Sequence, residues 1–148
     1  MNILFKIFKK KSRSSVDGIF YTKLTTLLNF RPNEIGHYER AFTHRSANKT
    51  DEKGQQINYE RLEFLGDAIL GTVIASHLYN VSPTGDEGYL TKMRSKIVSR
   101  KQLNSISKEL GLLNHLDPKN NHANLGEDVN GDLLEALVGA IYLDKDIK

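Results

Sequence analysis

The sequence contains no cysteine among its 148 residues. Disulfide cross-links, thiolate metal ligands and a cysteine nucleophile are therefore excluded, and any metal ion must be held by carboxylates, carbonyl oxygens or histidines. The apolar opening NILFKIF is far too short to cross a bilayer or to form the core of a signal peptide. We therefore expect a soluble, cytoplasmic protein with no membrane partner.

Acidic residues are absent from the first fourteen positions. The chain has a formal charge of +3, and the residues after this segment have a net charge of −2. We expect residues 1–15 to form a flexible basic tail, either solvated or in contact with RNA or a lipid surface. Residues 16–148 are enough for one domain with a core. The basic residues of the tail are Lys6, Lys9, Lys10, Lys11 and Arg13.

No segment alternates apolar and polar residues over the length of a strand, and no internal repeat occurs. Gly111 is typical of a helix stop, and Asn130 of a helix N-cap. The polar segment 47–56 is expected to be structureless, and residues 112–127 to be a loop with at most a short helical turn. Helical spacing of apolar residues recurs in residues 19–30, 58–79, 90–110 and 131–144. These features predict an all-α helical bundle of about six helices.

The helix predicted over residues 58–79 carries Glu60, Glu63 and Asp67 within an arc of about 60°. The same stripe continues with apolar residues, so solvation is a poor explanation for the acids. Like charges on one face destabilise a helix, and burying carboxylates without a cation is costly. Arg61, the only lysine or arginine on this helix, is predicted to point away from the acids. A cation from elsewhere must offset their charge.

A second pair of acids, Asp132 and Glu135, lies three residues apart on the helix predicted over residues 131–144. Gly139 on that helix and Gly71 on the first would let the two helices cross tightly and bring the acids together. Such an oxygen-only cluster suits Mg²⁺ or Mn²⁺, and two ions about 4 Å apart would support phosphodiester hydrolysis. Structural salt bridges are the alternative, because spacing on two helices does not show that the helices meet.

These residues resemble the signature of the ribonuclease III family, nucleases that cut double-stranded RNA. The sequence ERLEFLGDA at residues 60–68 matches the signature itself. Three further segments follow in the order of the family: AFTHRS at 41–46, DEGYLTKMRSKIVS at 86–99 and GDLLEALVGAIYLD at 131–144. The resemblance runs from about residue 19 to the last residue and implies the all-α endonuclease-domain fold of the family.

The resemblance implies a metal site built from carboxylates on the two acid-bearing helices. Asp67 and Glu135 correspond to catalytic residues, and Glu135 bridges to the catalytic ion. The implied cofactor is Mg²⁺, with Mn²⁺ as a substitute, and no small organic cofactor is implied. The four implied metal ligands are Glu63, Asp67, Asp132 and Glu135.

Other positions match family residues outside the metal site. Glu60 and Glu87 match acids at the substrate or dimer cleft. Phe64 matches an aromatic residue that inserts into the partner subunit, although an ordinary core phenylalanine fits the sequence equally well. His44 either touches RNA or is a hydrogen-bonded scaffold residue. Five basic residues of one predicted helix either meet phosphates or form a solvated surface: Lys92, Arg94, Lys96, Arg100 and Lys101.

The family implies a homodimer whose two acid clusters flank a valley for an A-form duplex, where each cluster hydrolyses one strand. The products carry 5′-phosphate and 3′-hydroxyl ends, and the reaction serves rRNA and mRNA processing. Duplex shape and 2′-hydroxyl contacts would select RNA. The alternative is a non-catalytic module that binds RNA or protein. A di-iron bundle needs two Glu-x-x-His motifs, and only Glu34 and His37 have that spacing.

Family members usually continue beyond the segment that matches residues 131–144. They carry about one more helix of the nuclease domain, and bacterial members usually add a double-stranded-RNA-binding domain. On this comparison, we expect residues 16–148 to lack the last helix of the domain, and we expect no double-stranded-RNA-binding domain within the 148 residues.

Overall fold

The computed structural model describes residues 15–117 and 125–145. Short 3-10 helices occupy Arg45–Ala47 and Leu112–His115. No β-strand forms in the described ranges, where Thr50 and Gln56 make an isolated β-bridge. The predicted all-α fold is confirmed. The six α-helices of the described residues are α1 Ser15–Leu28, α2 Ile35–Ala41, α3 Glu60–Val81, α4 Glu87–Ile97, α5 Arg100–Glu109 and α6 Val129–Lys145.

The described part of the chain divides into two compact units, with the boundary between Arg31 and Pro32. In the first unit, the hydroxyls of Thr22, Thr25 and Thr26 on α1 each donate to the carbonyl four residues earlier. After α1, Asn29 adopts the left-handed conformation at φ 57°, which asparagine tolerates and which stops a helix. The predicted basic tail lies outside the described residues except for Ser15, where α1 begins.

Helix α6 is the central element of the second unit. Helices α2, α3 and α5 all pack against it, and α4 packs against α3. Leu133, Ala136 and Ala140 of α6 are completely buried. The sequence of α6 is apolar around most of its circumference because neighbouring helices cover it on several sides. None of the helices in the described residues has both the length and the apolar character that crossing a membrane requires.

Helices α3 and α6 touch backbone to backbone where they cross. A Cβ atom at Gly66 would lie 1.7 Å from the carbonyl oxygen of Glu135, and one at Gly139 would lie 2.4 Å from that of Leu62. The predicted role of Gly71 in this crossing is wrong, since nothing lies within 4 Å of a Cβ atom there. Gly66 takes that role because it shares a helix face with Leu62. Gly71 is rotated by about 140° around the helix from Gly66.

The helical stretch predicted over residues 90–110 is two helices. Helix α4 ends at Ile97 and α5 begins at Arg100. Ser99 is the N-cap of α5, and its Oγ accepts a hydrogen bond from the N–H of Gln102 at 3.4 Å. A serine hydroxyl that binds a free helix N–H favours a new start over a continued helix. Gly111 follows α5 with φ 65°, as its predicted role as a stop requires.

The polar segment 47–56 forms an ordered loop and is not structureless. The Oδ1 atom of Asp51 accepts hydrogen bonds from the N–H groups of Lys53 at 2.9 Å and Gln55 at 2.8 Å. Gly54 adopts φ 76°, a conformation that glycine takes without strain. One carboxylate and one glycine therefore organise a segment whose composition alone suggests disorder.

Helix α6 starts two residues earlier than its predicted first residue, Gly131. The N–H of Asp132 donates to the carbonyl of Asp128 at 3.2 Å, which puts Asp128 at the cap position. Asn130 is therefore not the N-cap but lies buried in the first turn. The predicted loop 112–127 contains the 3-10 helix Leu112–His115, and its residues 118–124 lie outside the described part of the chain.

The carboxylate of Asp144, near the end of α6, caps the start of α2. It accepts hydrogen bonds from the N–H of Asn33 at 2.9 Å, the N–H of Glu34 at 2.6 Å and the hydroxyl of Tyr38 at 2.9 Å. Burial alone would raise the pKa of Asp144, but these hydrogen bonds and one from Lys145 lower it. The charged carboxylate thus supplies the cap that the side chain of Glu34 does not provide.

The substitution Gly66→Ala should lower the free energy of unfolding by about 3 kcal/mol or more, because the methyl group can fit only if α3 and α6 separate. Urea denaturation followed by circular dichroism measures this change. Gly36→Ala is the matched control, since Gly36 is a helical glycine with nothing within 4 Å of its added Cβ atom. It should be neutral or stabilise by up to about 1 kcal/mol. Equal effects of the two substitutions would contradict the tight crossing.

Candidate metal site

Carboxylates from α3 and α6 converge beside the helix crossing. Glu63 lies in the first turn of α3, and Asp132 and Glu135 lie in the first two turns of α6. One carboxylate oxygen from each of the three lies within 4.8 Å of the others. The prediction that these two helices meet is confirmed, and the role of the acids as metal ligands stays a prediction. We call Glu63, Asp132 and Glu135 the acid cluster.

Asp67 lies one turn beyond Glu63 on α3 and is not a member of the acid cluster. Its side chain is exposed and lines a cavity of about 770 Å³ between α3 and α4. It is still close enough for its charge to raise the pKa of Glu135 and of Glu63. Asp67 therefore borders the acid cluster on the α4 side, where a fourth oxygen ligand would approach.

Burial and repulsion destabilise the charged forms of the two glutamates of the acid cluster, Glu63 and Glu135. Glu135 is 6% exposed, and burial followed by the charges of its acidic neighbours raises its pKa to about 7 although Arg100 lowers it. Burial and the charge of Asp132 likewise raise the pKa of Glu63. The cluster holds more negative charge than its surroundings offset, which is the electrostatic condition for binding a cation.

Asp132 is held from two sides. Its Oδ2 atom accepts a hydrogen bond from the hydroxyl of Tyr59 at 3.4 Å, and its Oδ1 atom lies 2.5 Å from Nη1 of Arg100. Burial and the charge of Asp132 raise the pKa of Tyr59, so its hydroxyl remains a donor. The ring of Tyr59 contacts that of His44, with centroids 5.6 Å apart. Tyr59 and Arg100 therefore fix the orientation of this carboxylate.

His44 has a scaffold role. Its Nδ1 atom accepts a hydrogen bond from the N–H of Ser46 at 3.1 Å and thereby caps the 3-10 helix Arg45–Ala47. Burial and the charge of Arg45 lower the pKa of His44, which favours the neutral ring that this cap requires. His44 also lines the cavity beside the acid cluster.

The sequence does not reveal the contact of Arg100 with the acid cluster. In the sequence, Arg100 is one of five basic residues on one predicted helix, whose expected partners are phosphates or solvent. In the structure, Arg100 is the first residue of α5, and its Nη1 atom also lies 3.7 Å from Oε2 of Glu135. The charge pattern of the sequence carries no signal for this contact, which depends on how α5 packs against α6.

Glu60 and Glu87 are not members of the acid cluster, although Glu60 lines the cavity beside it. Glu60 is exposed at the start of α3 and forms an ion pair with Arg45 at 3.9 Å. Glu87, the first residue of α4, accepts a hydrogen bond from the hydroxyl of Thr91 at 2.8 Å. Neither is among the residues whose oxygens meet within 4.8 Å. Their predicted cleft positions remain predictions.

Phe64 is 80% exposed on α3, between the acid-bearing positions Glu63 and Asp67. The alternative interpretation of Phe64 as an ordinary core residue is therefore wrong. Helix α3 exposes three further large apolar side chains in its second half, Val73 at 57%, Tyr79 at 73% and Val81 at 57%. A helix with this much exposed apolar surface is typical of an interface.

The donors of the acid cluster fit a hard divalent cation. All three are carboxylate oxygens, which suit Mg²⁺ and Mn²⁺ better than softer metals. Glu63 and Asp132 also line an open cavity of about 640 Å³. This space would admit a phosphate group to an ion held by the cluster. The cavity is also lined by Arg45, Ser46 and Asn48.

The fold and the site define a class of protein. It is an all-helical domain that carries an oxygen-only acid cluster at a helix crossing. Residues 60–146 match the Ribonuclease III domain family. Ribonuclease 3 of Flavobacterium psychrophilum is 61% identical over 98% of this chain and 58% of its own length. Ribonuclease 3 of Zunongwangia profunda is 59% identical over 93% of this chain and 56% of its own length.

A solved structure has the same fold. The nuclease domain of ribonuclease III from Campylobacter jejuni superposes with a TM-score of 0.71 at 30% identity, covering 82% of this chain and 84% of that one. The chain belongs to the ribonuclease III family. It spans a little over half the length of the two bacterial relatives, 58% and 56%.

The raised pKa of Glu135 predicts how stability depends on pH in the metal-free protein. The pKa is about 7 in the folded chain against an ordinary value of 4.5, so the folded state binds this proton more tightly than the unfolded state. Stability should therefore increase as pH falls from about 8 towards 4.5. Glu135→Gln removes the titration and should exceed the wild type in free energy of unfolding at pH 8 by about 1–3 kcal/mol.

Chemical denaturation in EDTA at pH 8 and pH 4 measures this difference, which should nearly vanish at pH 4 because the wild-type side chain is then mostly neutral in the unfolded state as well as in the folded state. The exposed Glu109 on α5 provides the control Glu109→Gln, which should show no such dependence. A Glu135→Gln protein that is less stable than the wild type at pH 8 would show that this carboxylate is stabilised in its charged form.

Proposed function

We propose that the chain is the catalytic part of an endoribonuclease that hydrolyses phosphodiester bonds in double-stranded RNA, in rRNA and mRNA processing. The observation that carries the proposal is the convergence of carboxylates from α3 and α6 within 4.8 Å. Membership of the ribonuclease III family and identities of about 60% to proteins named Ribonuclease 3 support it. The products carry 5′-phosphate and 3′-hydroxyl ends.

The acid cluster holds Mg²⁺, for which Mn²⁺ can substitute, and Asp67 completes the ligand set from the α4 side. When bound, two such ions lower the pKa of a water molecule and stabilise the leaving oxygen. Glu135 is the most buried of the acids. It is one of the two ligands that α6 contributes, and it acts with Asp67 as a catalytic residue. Tyr59 keeps Asp132 in its ligating orientation through its hydroxyl.

The cavity next to the acid cluster receives the RNA backbone. Arg45 stands on its rim and offers a positive charge to phosphate, while His44 orders the short helix that carries Arg45. The duplex is selected by A-form shape and 2′-hydroxyls rather than by base identity. Glu60 and Glu87 belong to the substrate or dimer cleft in this proposal.

The substitution Glu135→Gln should reduce the cleavage rate of long duplex RNA with Mg²⁺ by about 100-fold or more, because an amide oxygen cannot replace a charged ligand. Duplex binding should change by less than about threefold, because phosphate contacts supply most of the affinity. Gel-based cleavage and filter binding measure the two quantities. Glu109→Gln, at an exposed glutamate away from the acid cluster, serves as the control and should cut at the wild-type rate.

A non-catalytic binding module is the competing proposal. If the wild-type chain binds duplex RNA but leaves it intact with Mg²⁺ or Mn²⁺ over a range of salt concentrations, that alternative replaces the nuclease. Equal cleavage by the wild type and Glu135→Gln would instead leave the nuclease in place and remove the acid cluster as its site.

The chain forms a homodimer through an exposed surface of α3 that includes Phe64. A phenylalanine that is 80% exposed contributes binding energy once a second chain covers it. The related Campylobacter jejuni nuclease domain has a region involved in dimer formation. Two copies would each present an acid cluster to the same duplex. The proposed location is the cytoplasm, which agrees with the absence of cysteine.

The substitution Phe64→Ala should weaken dimerisation by about 30-fold or more, because truncation of a central aromatic residue typically costs about 2 kcal/mol or more. Sedimentation equilibrium over a range of concentrations measures the dissociation constant. Leu110→Ala is the control, since Leu110 is 44% exposed but follows α5. A wild-type chain that remains monomeric, or an unchanged dissociation constant in Phe64→Ala, would contradict the assigned interface.

A further inference from the structure

Arg100 extends from α5 into the acid cluster and contacts two of its three members. Its Nη1 atom lies 2.5 Å from Oδ1 of Asp132 and 3.7 Å from Oε2 of Glu135. Carboxylate oxygens of these two residues are among the donors that meet within 4.8 Å as a prospective metal site. The guanidinium thus binds to side chains on which a divalent ion would also depend.

The contact is built into the packing of α5 on α6. A Cβ atom at Gly131 would lie 3.0 Å from Nη1 of Arg100 and 3.0 Å from Oδ1 of Asn104. Gly131 has no positive φ, so its backbone does not require glycine. Its missing side chain instead leaves room for the guanidinium. Asn104 fixes the same point, because its Oδ1 accepts a hydrogen bond from the N–H of Gly131 at 2.7 Å.

The charge of Arg100 opposes the repulsion within the acid cluster. Among the charged groups that act on Glu135, the acids Asp67, Glu63 and Asp132 disfavour its ionisation and Arg100 alone favours it. One positive charge is still too small to balance three clustered carboxylates and Asp67. Arg100 thus neutralises the site only in part, and the remaining negative charge can attract a cation of higher charge.

A divalent ion and the guanidinium cannot share these oxygens at full strength. Mg²⁺ binds oxygen at about 2.1 Å and requires nearly octahedral geometry, and a guanidinium a few ångströms away would repel it. The side chain of Arg100 is 45% exposed, so a path to solvent is open on its outer side. Rotation of its long aliphatic stem can therefore remove the charge without moving α5.

We propose that Arg100 is an internal counter-ion that holds the acid cluster together before metal binds and is displaced by the incoming divalent ion. This inference rests on the proposed metal site. Arg100 is a positioning residue in this role, since it acts on Asp132 and Glu135 and not on the substrate. By competing with the ion, Arg100 lowers the affinity of the free protein for metal. A higher ion concentration is therefore needed to fill the site.

The test measures Mn²⁺ binding to the full chain by calorimetry, without RNA. Arg100→Gln should bind Mn²⁺ about tenfold more tightly than the wild type, because the competing charge is gone. In EDTA the same variant should unfold a few degrees below the wild type, since the acids lose their counter-ion. The neighbouring Lys101 gives the matched control: Lys101→Gln should leave both values unchanged. A merely structural ion pair would not produce tighter metal binding.

An Mn²⁺ affinity that is unchanged or weaker in Arg100→Gln would overturn the inference. If that variant does not fold, NMR of the wild-type Arg100 Nε–H group during a Mg²⁺ titration replaces it, with the resonance assigned from Arg100→Lys. Movement of the resonance with occupancy supports displacement, and a resonance that stays fixed at saturation overturns it. Wild-type Mn²⁺ binding that survives Glu135→Gln would overturn the proposed metal site itself, and the role of Arg100 with it.

Discussion

The close approach of α3 and α6 at Gly66 and Gly139 fixes where the acids of this domain can lie. Side chains that protrude from the contact must start from backbones held almost at van der Waals distance, so Glu63 faces Glu135 across a short gap. Larger residues at the crossing would separate the helices and carry the carboxylates apart with them. The precision of the site therefore comes from rigid helices and two absent side chains rather than from loops.

The tight crossing has an electrostatic cost that the fold retains. It forces Glu135 to be both buried and close to other acids, which disfavours its charged form. Arg100 offsets part of this cost and Tyr59 orients one neighbour, but neither neutralises the cluster. Local instability of this kind is typical of functional sites, where residues are selected for what they bind and not for the stability of the empty fold. The rest of α6 compensates through extensive burial of apolar side chains.

Much of this architecture could be predicted from the sequence, because its main elements obey local rules. The apolar spacing of α3 and α6 indicates helices, and the acids in their first turns mark the faces that meet. The sequence alone does not identify Gly66 as the glycine of the crossing, because helical spacing places Gly66 and Gly71 beside the acids about equally well. Only the packed helices distinguish the two glycines. Ser99 and Asp51 show a second limit. Each organises its surroundings through local hydrogen bonds of one side chain, which the average composition of a segment does not predict.

The missed contact of Arg100 shows a third limit of the sequence. Charge patterns predict pairs on one helix, where residues three or four apart are neighbours. Arg100 and Asp132 are instead 32 positions apart and meet because α5 packs against α6. Only a tertiary structure can identify such a pair, and the same holds for Tyr59 and Asp132, which are 73 positions apart.

The hydrogen bonds of Asp144 have a consequence for how this chain acquires its fold. They join α2 to the end of α6 across 111 positions, one of the longest separations that a domain of this size allows. Helix α2 is short and is left without its cap until that distant carboxylate arrives, so closing this loop carries a large entropic cost that local helix formation cannot offset. During synthesis on a ribosome, α2 must therefore wait for the last turn of α6 to emerge before it becomes stable.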